Sequence, residues 1–290
     1  MKHFNKILCP LDFSDASRHA FEHAQVFAKA FKADLEVMHV SPNLAEAYTA
    51  LMPDFPGYGP ESEEDLLQEL NEFTGDWSGK IKKVIRTGTP YIEILEYAEQ
   101  NRFDLIVLGA KGLSRFERLF LGSTGEKVTR KANCPVLTVR PRQRVDIKRI
   151  LVPIDFSPLS YAVLPMVASI AKRFKAEIYL LHVVEIGHRM DREGQLKEYE
   201  YFEKVKKKLA QQWELPEEFS RIETKKFVRH HHGSPGYGIL EFAQDWDIDL
   251  IAMATHGRSG FSRALLGSVT EKVLKIASCP VLSVRSELQG

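Results

Sequence analysis

Residues 6–14, KILCPLDFS, return near the middle of the chain as residues 149–157, RILVPIDFS. Each stretch is a short apolar run that ends in Pro-x-Asp-Phe-Ser, and the two aspartates, Asp12 and Asp155, lie 143 residues apart. The same offset relates His39-Val40 to His182-Val183. A match of this length and order indicates that one domain has been duplicated within the chain.

The later part of each half also repeats, at an offset of 145 residues. The paired segments are Gly112 with Gly257, Gly122-Ser123 with Gly267-Ser268, and residues 134–137 with residues 279–282. The 290 residues therefore divide into two domains of ordinary size. We predict domains at residues 1–141 and 147–287, joined by a short polar stretch near Pro141.

Each half alternates strand-like and helix-like segments. In the first half, residues 7–11 are typical of a buried strand, and apolar residues at spacings of three and four predict a helix through residues 16–31. Further strands are predicted at 35–40, 81–86, 105–108 and 136–139, with helices from about 61, from Pro90 and over 124–132. This order predicts an α/β fold with a doubly wound parallel sheet in each half, and ligands at the carboxyl ends of the strands.

A glycine-rich loop follows the fourth strand of the first half. It reads Gly109-Ala110-Lys111-Gly112, then nine residues, then Gly122-Ser123 at the start of a helix. Glycines allow close approach of the backbone to an anion, and the N–H groups of a helix start favour phosphate. The loop lacks the Gly-Lys-Ser ending of a P-loop, and it follows the fourth strand, whereas a dinucleotide fingerprint follows the first.

The pattern Gly-x2-Gly-x9-Gly-Ser after an apolar strand, with Pro-x-Asp-x-Ser after the first strand, resembles the universal stress protein (UspA-type) family. The resemblance covers essentially the whole chain twice, as in tandem members. It implies two Rossmann-like, adenine nucleotide alpha hydrolase-like domains that form an intrachain pseudo-dimer, with residues 136–139 and 281–284 paired across the halves. The implied cofactor is ATP, or ADP or AMP, with or without Mg²⁺.

The resemblance also implies a set of nucleotide contacts in each half. In the first half these are Asp12, Val40, Gly109, Gly112, Gly122, Ser123 and Thr124. In the second half they are Asp155, Val183, Ala254, His256, Gly257, Gly267, Ser268, Val269 and Thr270. The second half departs from the pattern, because Ala254 stands where the first half has Gly109. An alanine is tolerated there only if the position needs no positive φ.

Several of these residues have a structural alternative. Asp12 and Asp155 follow strands and precede helices, so helix capping competes with an adenosine contact. His39 and His182 are typical of packed strand histidines. The side chains of His230, His231 and His232 alternate between the faces of a strand, which disfavours a joint metal site. We therefore predict neither catalytic nor metal-ligating residues; the three cysteines are interpreted as packing residues.

Composition limits the partners. A net charge of +1 gives no general reason to expect nucleic-acid binding, and no apolar run of eighteen residues predicts membrane insertion. Three widely spaced cysteines do not form a disulfide framework, and residues 1–6 contain no apolar signal region. We expect a cytoplasmic protein.

Three functions fit the sequence. The first is a stress-response sensor or regulator that binds an adenine nucleotide in one or both domains. The second is a slow ATP hydrolase, for which Asp12 and Asp155 are the only repeated candidates. The third is an interaction scaffold without nucleotide. Residues 41–79 and 185–220 differ most between the halves, and we place unknown protein partners or separate ligands there. Association of two tandem chains is left open.

Overall fold

The computed structural model describes residues 3–42, 62–75, 77, 79–110, 123–141, 145–185, 192–209, 213, 215–255 and 266–285, with backbone alone for 192–198. The chain separates into two compact units, residues 4–142 and residues 143–290 together with 1–3. We call them the N-terminal and C-terminal domains. The sequence repeat and the two units agree that the chain contains two bodies of nearly equal size.

The N-terminal domain alternates strands and helices as predicted. Its strands are β1 (Lys6–Leu11), β2 (Asp34–Ser41), β3 (Ile81–Thr87), β4 (Leu105–Gly109) and β5 (Val136–Val139). Its helices are α1 (Asp15–Phe31), α2 (Glu63–Thr74), α3 (Pro90–Gln100) and α4 (Ser123–Lys131). Pro90 occupies the start of α3, where a missing N–H costs no hydrogen bond.

Within the described residues, the C-terminal domain repeats this order with one more helix. Its strands are β6 (Arg149–Pro153), β7 (Glu177–Glu185), β8 (Thr224–His231), β9 (Leu250–Ala254) and β10 (Val281–Val284). Its helices are α5 (Pro158–Tyr161), α6 (Leu164–Phe174), α7 (Arg192–Leu209), α8 (Pro235–Asp245) and α9 (Ser268–Ile276). A 3₁₀ turn, Glu217–Arg221, precedes β8.

Both domains have parallel sheets with the same strand order. It is β3-β2-β1-β4-β5 in the N-terminal domain and β8-β7-β6-β9-β10 in the C-terminal domain. The chain winds outward from the first strand of each domain, then returns to that strand's other side. The winding direction therefore reverses between β1 and β4, and between β6 and β9. Ligands of doubly wound sheets bind at the strand ends beside such a reversal.

The central strands are buried on both faces. Ile7 and Leu8 of β1 and Ile150 and Leu151 of β6 have no exposed surface. These strands read as continuous apolar runs because helices cover both faces of a parallel sheet. Burial of the strand bodies leaves their carboxyl ends as the place where polar side chains reach the surface.

The helix after the first strand differs between the domains. In the N-terminal domain Ser14 caps α1, and its Oγ accepts a hydrogen bond from the backbone N–H of Ser17 at 3.2 Å. The helix then runs unbroken for 17 residues. In the C-terminal domain Ser157 caps α5 in the same way, but the helix stops after four residues. Pro165, in the first turn of α6, lacks an N–H and would clash with the carbonyl of a continued helix.

Within the described residues, no helix is both long enough and apolar enough to cross a membrane.

Candidate functional site

The C-terminal domain contains a cavity at the carboxyl ends of its strands, at the reversal between β6 and β9. Its volume is about 560 Å³, which lies in the range of small-molecule sites. Seven residues that the sequence predicted for this domain line the cavity: Asp155, Val183, Ala254, Gly267, Ser268, Val269 and Thr270. The other two, His256 and Gly257, lie outside the described residues. The predicted residues, some of them more than 100 positions apart in the sequence, therefore line a single cavity.

One end of the cavity is the start of α9. Gly267 is the N-cap, and its own N–H donates to the carbonyl of Thr255 at 2.9 Å, which fixes the approach to the helix. The N–H groups of the first helical turn have no carbonyl acceptor within the helix. Together with the helix dipole, these groups favour an anion at this end. The exposed side chain of Ser268 provides a further donor.

Thr270 connects this helix start to the sheet. Its buried hydroxyl donates to the carbonyl of Ala254 at 2.9 Å. A threonine hydroxyl has a single hydrogen, so this bond uses the donor that a phosphate would require. Thr270 therefore connects the start of α9 to the end of β9, and its hydroxyl hydrogen is already used in that bond. The N-terminal domain has Gly125 at the matching place and lacks the hydroxyl.

Asp155 also lines the cavity, two residues after the end of β6. Its Oδ1 accepts hydrogen bonds from the backbone N–H of Ser157 at 2.9 Å and from the Ser157 hydroxyl at 2.5 Å. Asp12 makes the same pair of bonds to Ser14, at 3.2 and 2.5 Å. Each aspartate therefore orients the serine that caps the next helix. Neither aspartate is itself the cap residue; each supports the serine that is.

The aromatic residue between each aspartate and serine has an unusual backbone conformation. Phe13 has φ of 60° and Phe156 has φ of 61°. The left-handed region is costly for a bulky side chain, so the surroundings must hold it there. The ring of Phe13 stacks on His39 with centroids 4.5 Å apart, and Phe156 packs on His182 at 4.8 Å. These contacts hold the turn that presents each aspartate.

His39 and His182 hold the same turn by a hydrogen bond. Nδ1 of His39 lies 2.9 Å from the carbonyl oxygen of Leu11, and Nδ1 of His182 lies 2.6 Å from that of Ile154. A carbonyl oxygen only accepts, so Nδ1 carries the hydrogen in both residues. The repeated histidines thus stabilise the turn before each aspartate, as packed strand histidines would.

In the N-terminal domain the predicted residues lie at the corresponding strand and helix ends. Val40 is buried near the end of β2, and Gly109 ends β4. Ser123 is exposed at the start of α4, and Thr124 follows it, half-buried. The two remaining predicted residues, Gly112 and Gly122, lie outside the described residues.

Gly109 and Ala254 differ because of the helix beside them. A Cβ on Gly109 would lie 2.6 Å from the backbone carbon and oxygen of Ala16 and 2.7 Å from the nitrogen of Ser17. Neither Gly109 nor Ala254 has a positive φ. The glycine of the N-terminal domain is therefore required by the close approach of α1 and not by backbone conformation. In the C-terminal domain the methyl of Ala254 is accommodated and lines the cavity.

The cavity has lining residues outside the predicted contact set, three of them on α7 within residues 185–220, where we placed separate ligands or partners. Tyr201, Val205 and Leu209 of α7 line it, together with Ile239 of α8 and Met253 of β9. The spacing of four between the α7 residues is a signal that marks one face of a helix. Nothing in the sequence says which element that face meets, so the signal alone does not assign these residues to the site.

The histidine run and the cysteines are explained by packing. His231 faces Glu241 and Tyr237, whereas the rings of His230 and His232 lie 5.7 Å apart on the other side of β8. Within the described residues no three potential ligands form a metal cluster. Burial raises the pKa of both Cys134 and Cys279 to about 12. Thiols this difficult to ionise are weak nucleophiles at neutral pH.

Comparison with protein families agrees with this geometry. A model of the Universal stress protein family matches residues 3–140 and 146–285. A universal stress protein from Methanocaldococcus jannaschii is 36% identical over 143 residues, covering 47% of this chain and 82% of its own. A universal stress protein from Synechocystis sp. is 25% identical over 303 residues, covering 97% of this chain and 99% of its own.

A solved structure extends the likeness to the fold of the entire chain. The crystal structure of a universal stress protein from Archaeoglobus fulgidus superposes with a TM-score of 0.70 at 22% identity. The match covers 98% of this chain and 99% of that one. At this identity the likeness supports the arrangement of strands and helices and says nothing of ligands.

Proposed function

Because the chain belongs to the Universal stress protein family, we propose that it is a cytoplasmic stress-response protein that binds ATP or a related adenine nucleotide and acts as a sensor or regulator. The C-terminal cavity is the best supported site, and the N-terminal domain is the second candidate. The three cysteines are free thiols, which suits the reducing compartment that we propose.

The observation that supports the proposal best is that one cavity combines a helix start, which favours an anion, with apolar side chains. The start of α9 favours an anion, and the ends of β6 and β7 supply apolar side chains such as Ile154 and Val183. A nucleotide has both parts, an anionic phosphate chain and a flat, weakly polar base. Asp155 lines the same cavity near the end of β6 and is a candidate partner for the ribose or base.

The first experiment identifies what the protein carries. The full chain is purified without added nucleotide and denatured, and the released small molecules are identified by mass spectrometry. Recovery of ATP, ADP or AMP near one or two per chain supports the proposal and counts the filled sites. If none is released, calorimetry with ATP and Mg²⁺ follows, and a failure to bind there would reject nucleotide binding and leave the scaffold function.

A second experiment tests the end of the cavity that we propose binds phosphate. The variant Ser268→Asp places a carboxylate at the first turn of α9, where it stabilises the helix through its dipole but repels a phosphate. We expect ATP affinity at the C-terminal site to fall by roughly tenfold or more, from charge repulsion at short range. Ser123→Asp makes the same change at the start of α4 and is the matched variant for the N-terminal domain. An unchanged ATP affinity in both variants would contradict phosphate binding at the helix starts.

A further inference from the structure

Helix α7 presents two tyrosines that are almost equally exposed but differ in what they face. Tyr199 is 60% exposed and Tyr201 is 59% exposed. Tyr201 lines the C-terminal cavity, and Tyr199 does not. Residues two apart point to different sides of a helix, so one turn of α7 carries a tyrosine at the cavity and a tyrosine away from it.

The side of α7 that meets the cavity is a continuous stripe. Tyr201, Val205 and Leu209 are four residues apart and all line the cavity. The neighbouring Phe202 is buried and packs edge-on against His230 of β8, with ring centroids 4.8 Å apart. Burial of a phenylalanine stabilises the position of the helix, and it does so one residue away from Tyr201. The ring of Tyr201 is therefore held at the cavity by an anchored helix.

The stripe adds apolar surface to the cavity. Val183 and Val184 of β7 line the same cavity from the sheet. The part of the cavity that we propose binds phosphate, at Ser268, belongs to a different helix, α9. A ligand whose phosphates meet the start of α9 leaves its base to the rest of the lining, which includes the α7 stripe.

We propose that Tyr201 is a base-binding residue of the C-terminal site, where its ring stacks on the base of the bound nucleotide. This inference rests on the proposed function, since it needs a nucleotide in the cavity. Stacking of an aromatic ring on a base is favourable for any base, because it uses the faces of both ring systems. The exposed ring of Tyr201 becomes covered when the site is filled, while Tyr199 stays in solvent.

The test measures binding separately in each domain of the full chain. Hydrogen–deuterium exchange is followed during an ATP titration in two segments, residues 268–276 of α9 and residues 123–131 of α4. We expect Tyr201→Ala to raise the ATP concentration for half-protection of 268–276 by about tenfold, with 123–131 unchanged. Tyr199→Ala is the matched control and should shift neither segment. Tyr201→Phe keeps the ring and should behave as the parent protein. Inorganic tripolyphosphate, which lacks a base, should bind the parent and Tyr201→Ala equally.

The other outcomes separate the two proposals. If ATP protects neither segment of the parent protein, nucleotide binding itself is rejected. If ATP protects 123–131 alone, nucleotide binding stands and the role of Tyr201 is overturned. It is also overturned if Tyr201→Ala leaves the midpoint of 268–276 unchanged, or if Tyr199→Ala shifts it equally, because the effect would then arise from the stability of α7.

Discussion

The two domains place different residues at the carboxyl end of the fourth strand, Gly109 in one and Ala254 in the other. In the N-terminal domain an unbroken α1 brings its backbone so close that a single added methyl would lie 2.6 Å from the main chain of Ala16. In the C-terminal domain the matching helix is interrupted at Pro165, and α5 has only four residues. Since Ala254 keeps its Cβ, the α5 backbone must lie farther from β9 than α1 lies from β4.

The difference shows that a motif position depends on its neighbours. By sequence, Ala254 is a departure from the glycine pattern that is tolerated only if the position needs no positive φ. In the structure Ala254 lines the cavity of the C-terminal domain, where the helix after β6 is interrupted. The alanine is therefore accommodated because that helix leaves room for its methyl group. The loss of a motif glycine is therefore compatible with an intact site when the packing that demanded the glycine is also absent.

The largest expected effect comes from exchanging these residues. Gly109→Ala forces a methyl into the backbone of α1, and overpacking of this kind costs up to about 3 kcal/mol. We expect that loss of stability in the N-terminal domain, measured as faster hydrogen exchange in β1 and β4.

Ala254→Gly is the matched control for that exchange. It removes a methyl from a place that already accommodates one, so we expect a loss below about 1 kcal/mol, mainly from the added freedom of the unfolded chain. Equal losses in the two variants would contradict the packing explanation, because the clash would then play no part.

A second contrast lies at the amino ends of the strands. Glu36 is buried and accepts hydrogen bonds from the hydroxyl of Tyr97 at 2.7 Å and from Nζ of Lys82 at 3.1 Å. In the C-terminal domain Lys225, the match of Lys82, bonds instead to Glu177 at 2.8 Å, and the side chain of Glu177 is 35% exposed. The lysine is kept between the domains, while the carboxylate has moved to a more exposed position.

Glu36→Gln should therefore cost more than Glu177→Gln. We expect about 2 kcal/mol for the buried residue, since hydrogen bonds to a charged group are lost, and below about 1 kcal/mol for the exposed one. Thermal unfolding by calorimetry at neutral pH compares the two variants. Equal losses of stability in the two variants would show that the burial of Glu36 does not strengthen its hydrogen bonds relative to those of Glu177.

The pH dependence of the Glu36 variant follows from the direction of its pKa shift. Burial alone raises the pKa of Glu36, but hydrogen bonds from Tyr97 and Lys82 and the charges of Lys6 and Lys82 together hold it below its ordinary value. The folded pKa lies below the unfolded one, so the stabilisation is complete above about pH 4.3 and is lost as the pH falls through the folded value. The stability difference between the parent protein and Glu36→Gln should shrink with acidification, and a difference that grows would contradict this sign.

The smallest effect concerns the helix caps. Ser14→Ala removes the cap of a 17-residue helix and should cost about 1 kcal/mol. Ser157→Ala removes the cap of a four-residue helix and should cost less, because fewer residues depend on it. Hydrogen exchange in α1 and α5 measures both losses, and Ser14→Thr, which keeps a hydroxyl, is the control. A larger loss for Ser157→Ala would contradict the role of helix length, because both serines make the same bond to an aspartate.

Much of the fold was predictable because its signals are local. The apolar run of β1, the helical spacing from Ala16 to Phe31 and the proline that begins α3 each depend on neighbours within a few residues. The repeat then gave the second domain by analogy. That analogy was wrong in one element, since it predicted a single helix where Pro165 separates α5 from α6.

The sequence by itself determined the duplicated parallel α/β domain and the strand ends where polar residues collect, because hydrophobic periodicity and turn residues are encoded along the chain. Only the tertiary structure decided that Gly109 is demanded by α1, that the hydroxyl of Thr270 is bonded to Ala254, and that Tyr201 of α7 lines the cavity. Each of these contacts joins different elements of the chain, and their separation in the sequence does not tell how far apart they lie in space. They depend on how side-chain volumes fit once the sheet and helices have packed.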